Sequence, residues 1–259
     1  MKEGKVYKQI LADCEASRGQ VFVVIDPPNQ TPEIAGKIAK IAERSGAAAI
    51  AVGGSVGAQG ELLSKTLLSI KECCKIPAIL FPGNIATLSE RADAIYFMSM
   101  LNSLDPYYIT GAQIASSLTV KQMGLEVMPT SYIIVEPGRA VGWVGRAKPV
   151  PRNLPYLAAI TALAGQYMGS KLVILESGGG ALRPAPPEMI AHTKKLIDIP
   201  LIVAGGVRTP EYAYKTMKAG ADIIHVGTAV ENTSSDLSKA EQKIRKFVSA
   251  AQKGAKERK

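Results

Sequence analysis

Apolar residues fall into short, largely β-branched runs, separated by stretches in which they recur every three or four positions. The runs lie at residues 21–26, 48–52, 77–81, 94–99, 127–135, 172–175, 200–204 and 221–226. Predominantly apolar runs of this length are the signature of parallel strands buried on both faces, and the spacing between them fits covering helices. The first such helix opens at Thr31-Pro32-Glu33, where threonine can cap, proline suits the first helical position and glutamate faces the positive end. Ile34, Ile38, Ile41 and Ala42 then share a face and Gly46 closes the helix; the same opening recurs at Thr209-Pro210-Glu211. Eight strands alternating with helices predict a (β/α)8 TIM barrel, α/β in class, with a doubly wound sheet as the alternative. No linker or low-complexity segment interrupts residues 1–259, so a single domain is expected.

In a barrel, the residues just past each strand converge on one mouth. The last two strands end in Gly205-Gly206 and Gly227-Thr228. Glycine lets the backbone approach a ligand and aim N–H groups at an anion, and the loops after strands seven and eight of such barrels form the usual phosphate site. One glycine pair would read as an ordinary turn; two, one βα unit apart, favour phosphate binding. The other strands bring Asp26, Ser55, Asn84, Asn102 and Glu176 to the same mouth. Asp26 and Ser55 end neighbouring strands, and hard oxygen donors of this kind suit Mg²⁺ completed by substrate phosphates. The plainer alternative is a helix cap at Asp26 and a turn at Ser55. Glu176 is costly to desolvate on an apolar strand. Facing the cavity it would accept a proton from a substrate hydroxyl; the alternative is a salt bridge to a neighbouring strand. His192 and His225 have no partner at ligand or triad spacing and read as structural. No lysine is placed for a Schiff base.

Lysine and arginine outnumber the acids 31 to 22, a net +9 that favours an anionic partner. No interleaving of basic and aromatic residues suggests a nucleic-acid surface. The basic tail at Lys253, Lys256, Arg258 and Lys259 reads as a frayed, solvated end. No run approaches the roughly 20 apolar residues of a membrane span, Met1-Lys2-Glu3-Gly4 is no signal peptide, and Cys14, Cys73 and Cys74 form neither a disulfide framework nor a metal spacing. A cytoplasmic protein is expected. Residues 137–155 lack periodicity but carry Arg139, Arg146, Lys148 and Arg152, as a functional lid over a multiply charged anion would. A mobile surface loop, or an oligomer contact anchored by Trp143, would look the same.

Across nearly the whole chain, Val24-Ile25-Asp26-Pro27, Gly53-Gly54-Ser55, Phe81-Pro82-Gly83-Asn84, residues 94–103, Leu175-Glu176-Ser177-Gly178-Gly179-Gly180, Val203-Ala204-Gly205-Gly206 and Val226-Gly227-Thr228 resemble the geranylgeranylglyceryl phosphate synthase family. The Phe-Pro-Gly-Asn and Asn-Ser segments are the most specific parts, since many phosphate-binding barrels share the glycine pairs. The resemblance implies Mg²⁺-dependent transfer of a C20 prenyl group from geranylgeranyl diphosphate to the 3-hydroxyl of sn-glycerol 1-phosphate, releasing diphosphate, the first ether bond of archaeal membrane lipids. It implies that Asp26 and Ser55 hold the metal. Ile174, Leu175, Glu176, Ser177, Gly178, Gly179 and Gly180, with Gly205, Gly206, Gly227 and Thr228, would bind glycerol 1-phosphate, Glu176 and Asp26 being catalytic. The chain departs from the family pattern at Ile174, where a tyrosine is common, and at Pro28-Asn29. Residues 95–101 with Tyr107 and Tyr108 are candidates for a prenyl groove, or for plain core. A homo-oligomer with transient contact to a membrane surface is expected. The rival readings are the bacterial relative that transfers a longer, heptaprenyl chain to the same acceptor, an FMN-dependent barrel oxidoreductase with the same glycine pairs, and a barrel that merely binds anions or RNA.

Overall fold

The computed structural model describes residues 4–231 and 236–258; residues 1–3 of the opening segment and Lys259 of the basic tail lie outside the described residues. Strands β1 (Gln20–Ile25), β2 (Ala49–Gly54), β3 (Ala78–Pro82), β4 (Ala94–Met100), β5 (Glu126–Ile134), β6 (Leu172–Glu176), β7 (Leu201–Ala204) and β8 (Ile223–Val226) pair in parallel in that order. β8 returns to β1 through Gln20–Ile223 to Val23–Val226, which closes the barrel and excludes the doubly wound sheet. The helices are α1 (Lys5–Glu15), α2 (Pro32–Arg44), α3 (Gly60–Cys73), α4 (Ala112–Gln122), α5 (Arg139–Val144), α6 (Pro155–Tyr167), α7 (Pro187–Leu196), α8 (Pro210–Lys218), α9 (Thr228–Glu231) and α10 (Leu237–Lys256).

Period-two alternation divides the core. On β6, Val173 and Leu175 pack outward under the helices while Leu172 and Ile174 fill the interior with Phe22, Tyr96, Met128 and Ile202. Glu176, two residues beyond Ile174, therefore projects inward at the top of the barrel. Both expected caps form: Thr31 accepts from the Ile34 N–H and Thr209 from the Tyr212 N–H.

Two features depart from the sequence expectations. Residues 137–155 are folded: α5 lies within them, and bridges Ser103–Ala147 and Val135–Val150 tie the segment to the barrel rim. The described part of the basic tail is also held. α10 continues to Lys256, and beyond it Arg258 donates to Asp222 at 2.9 Å and to the Ala221 carbonyl. At the N-terminal end of the barrel, α1 acts as a plug. Val6, Tyr7 and Ile10 join the interior cluster, and the Glu126 carboxylate accepts the Val6 and Tyr7 N–H groups at 2.8 and 2.7 Å, satisfying two donors that the helix start leaves open. Among the described residues no helix is long and apolar enough to cross a membrane.

Candidate active site

The plug leaves one open end, and the C-terminal ends of the strands surround a cavity of about 1460 Å³ counted out to its mouth. Asp26, Ser55, Asn84, Glu176, Gly179, Gly180, Gly205, Gly206, Gly227 and Thr228 all line it. Four other expected contacts lie back from the wall. Leu175 points outward into the helix layer, Ile174 is fully buried beneath Glu176, and Ser177 and Gly178 are buried in the turn that follows. Asn102 also lies outside the cavity. Its side chain braces the rim, donating to the Ile134 and Lys148 carbonyls and accepting from the Ile134 N–H.

The glycine loops are built for close approach. Gly205 has φ +72°, and a Cβ there would lie 2.4 Å from Glu176 Oε1 and 2.6 Å from the Gly178 nitrogen; at Gly206, φ +76°, it would meet the Arg183 backbone at 2.2 Å. Among the described residues the N–H groups of Gly179, Gly180 and Gly206 donate to no protein acceptor. Gly206 is buried, Gly180 half-buried and Gly179 exposed. Buried amides are nearly always paired, so the open N–H of Gly206, with those of Gly180 and Gly179 on the same cavity wall, suits an anion as acceptor. Arg208, at the rim, is the one lysine or arginine among the described residues that lines the cavity.

Glu176 is 5 % exposed. Its Oε1 accepts the Gly178 N–H at 2.6 Å and its Oε2 the Tyr132 hydroxyl at 3.1 Å. No lysine or arginine among the described residues lies within ion-pair distance of Glu176, Asp26 or Glu231, so the salt-bridge alternative for Glu176 fails. Burial pushes the Glu176 carboxyl up to about 7 against the pull of its two hydrogen bonds. Burial also pushes Asp26 up to about 7, helped by the charges of Glu231 and then Glu176. Asp26 makes no capping bond to the turn it precedes, which removes that alternative. The adjoining Gly54 leaves open space beside it, since a Cβ there would sit 3.2 Å from the Asp26 Cγ.

An apolar arm leaves the polar mouth between β4 and α4. Of the expected groove, Ile95, Tyr96, Phe97, Met98, Tyr107 and Tyr108 line the cavity, and so does Met100. Ser99 instead donates to the Ile109 carbonyl. Val141 and Val144 of α5 cover the arm from the rim. Two of the lid cations are tied to the rim, Arg146 pairing loosely with Asp105 at 3.8 Å and Arg152 donating to the Glu136 and Pro184 carbonyls, while Arg139 packs on Gly178 with its guanidinium beside Gly180. The floor is aromatic. Tyr96 meets His225 Nε2 at 3.1 Å and Phe22 stacks on the imidazole, which burial pushes down to about 3 and so keeps neutral. His225, read from the sequence as structural, lies on the cavity wall, held between Tyr96 and Phe22.

Sequence reading missed Tyr132, Arg208 and Glu231. Arg208, two residues past Gly206, carried a usable signal. Tyr132 reads as one more apolar strand residue, and Glu231 lies beyond the last strand in a short helical turn.

The PcrB family matches residues 14–251 of the chain. The chain is 52 % identical over 244 residues to the geranylgeranylglyceryl phosphate synthase of Pyrococcus abyssi, covering 94 % of this chain and 96 % of that protein. It is 55 % identical over 223 residues to the enzyme of the same name from Thermococcus gammatolerans, covering 86 % and 88 %. Its fold superposes with a TM-score of 0.91 on a crystal structure of (S)-3-O-geranylgeranylglyceryl phosphate synthase from Thermoplasma acidophilum in complex with its substrate sn-glycerol-1-phosphate, at 33 % identity and covering 97 % and 99 % of the two chains.

Proposed function

The chain belongs to the PcrB family, and on that premise we propose that it is a prenyltransferase joining geranylgeranyl diphosphate to the 3-hydroxyl of sn-glycerol 1-phosphate, that is, a geranylgeranylglyceryl phosphate synthase. One observation carries the reading: a cavity joins an open-amide glycine cradle to an apolar arm, with an unpaired carboxylate at the junction. The cradle suits the acceptor's phosphate, the arm a prenyl chain, and the flavin and RNA-binding alternatives need neither the arm nor the carboxylate.

In the reaction the bond from prenyl C1 to the diphosphate oxygen breaks, its electron pair leaves with diphosphate, and the glycerol oxygen bonds to C1. Glu176 takes the proton that the attacking hydroxyl loses, and a carboxyl near 7 is well matched to that exchange at neutral pH. The glycine loops fix the acceptor so that its oxygen is presented to C1 rather than diffusing to it. Burial of the arm by α5 keeps water from the allylic carbon.

Asp26 and Ser55 fit Mg²⁺: an acidic oxygen with no cationic partner, a hydroxyl on the adjoining strand end, and Glu231 nearby to add negative charge. Bound there, the metal would neutralise charge building on the departing diphosphate. Asp26→Ala should abolish turnover, and Mg²⁺ should no longer raise its melting temperature, while glycerol 1-phosphate still binds. Unchanged turnover would refute the assignment. Product mass with C15, C20 and C35 diphosphates separates the C20 reading from the heptaprenyl one. Three free cysteines and the lack of a spanning helix among the described residues support a cytoplasmic enzyme that meets its product's membrane at the surface.

A further inference from the structure

Tyr132 is buried at 4 % exposure on β5, and its hydroxyl reaches the oxygen of Glu176 that Gly178 leaves free. Register produces this contact. Tyr132 pairs with Ile174 across the β5–β6 ladder, Ile174 and Glu176 share the inner face, and a residue diagonally across a strand pair is within reach of a tyrosine. The ring has little freedom, because Phe81 meets it edge-on at 5.8 Å. Burial and the neighbouring Glu176 charge hold the phenol well above its ordinary range, so it stays protonated and can only donate to the carboxylate.

We propose that Tyr132 is a positioning residue for proton transfer: it clamps Glu176 Oε2 as Gly178 clamps Oε1, fixing the carboxylate plane and favouring the anion that must accept the proton. The proposal rests on Glu176 being the base. Two donors, one on each oxygen, prevent rotation about the terminal bond of the side chain and leave the remaining lone pairs to face the acceptor. With no cation in reach, these two donors supply the hydrogen bonding that offsets the carboxylate's burial. The other titratable or charged groups around it do not substitute for them. Asp26 at the end of β1 is acidic, Tyr96 on β4 and His225 on β8 are neutral and bonded to each other, and Arg139 packs on the Gly178 backbone without pairing with Glu176.

Tyr132→Phe keeps the ring and its Phe81 contact and removes only the donor. Transfer kcat should fall roughly 10- to 100-fold, as expected for a hydrogen bond to a charged group. The KM for glycerol 1-phosphate should stay within about threefold, in keeping with a transition-state effect rather than weakened binding. Losing the donor destabilises the anion, so the acidic limb of kcat/KM should move to higher pH. In a Glu176→Gln background the same substitution should add nothing, because the group it serves is gone. Difluorotyrosine at position 132, a stronger donor that preserves the fold, should move the limb the other way. The proposal is overturned if the phenylalanine variant keeps the parental kcat and limb, if the loss is all in KM, or if the two substitutions are additive. If Glu176→Gln itself keeps transfer and the limb, the base assignment fails first and the role of Tyr132 falls with it.

Discussion

Asp222 and Glu176 are each 5 % exposed and sit at opposite ends of the barrel, yet their surroundings are opposite. Asp222, just before β8 at the plugged end, accepts from Lys194 at 2.8 Å, from Arg258 at 2.9 Å and from the Leu201 N–H at 2.9 Å. It joins α7, β7 and the chain's last described turn. Glu176, at the open end, has two neutral donors and no cation. Equal burial therefore serves two purposes. At the closed end a compensated charge fixes the ends of elements; at the open end an uncompensated one is kept ready for a proton. This is the division expected of barrels, where one face carries stability and the other chemistry.

The comparison breaks most visibly if the two carboxylates respond alike when neutralised. Glu176→Gln keeps both contacts, since the amide oxygen accepts from Gly178 and its NH₂ can turn to the Tyr132 oxygen. A carboxyl raised from 4.5 to about 7 contributes stability that is full below about pH 4.5 and is lost as pH rises to about 7. The variant should therefore be more stable than the parent at pH 8, by up to about 3 kcal/mol at roughly 1.4 kcal/mol per unit. The gain should disappear by pH 4.5, and urea unfolding across that range checks it. Asp222→Asn should do the reverse and destabilise the protein by about 2 kcal/mol at pH 7. That is less than the roughly 3–5 kcal/mol of a fully buried pair, because Lys194 and Arg258 remain 29 and 24 % exposed and can turn to water. Transfer per folded molecule should be unchanged. A loss of activity in that variant without a loss of stability would show the division to be wrong.

How much of each end was legible follows the same division. The eight strands were readable because apolar residues dominate each run, even in β5 with its Pro129-Thr130-Ser131 and β8 with its His225, and α2 and α8 because Thr31 and Thr209 cap them. Asp26, Ser55, Glu176 and the glycine pairs stand out because a polar or Cβ-less residue at the end of such a run breaks its pattern. The plug did not, because Val6, Tyr7 and Ile10 acquire meaning only once a closed barrel offers them an end to fill. Arg258 looked like a solvated tail because its partner, Asp222, is 36 residues away. Tyr132 was hidden by the rule that revealed the strands: an aromatic residue in an apolar run reads as core, and only the β5–β6 register shows that its hydroxyl meets a carboxylate. α5 was obscured by the glycines at 138, 142 and 145, which lower helix propensity where tertiary contacts decide.

The central claim is that the unpaired carboxylate at the open end moves the proton and does not hold the acceptor. Single-turnover transfer and calorimetric binding of sn-glycerol 1-phosphate, measured on the same sample of Glu176→Gln, test it directly. Transfer slowed by roughly 10² to 10⁴ with the dissociation constant within a few-fold of the parent's is the predicted result. Transfer at the parental rate, or a loss accounted for entirely by weaker binding, would contradict it.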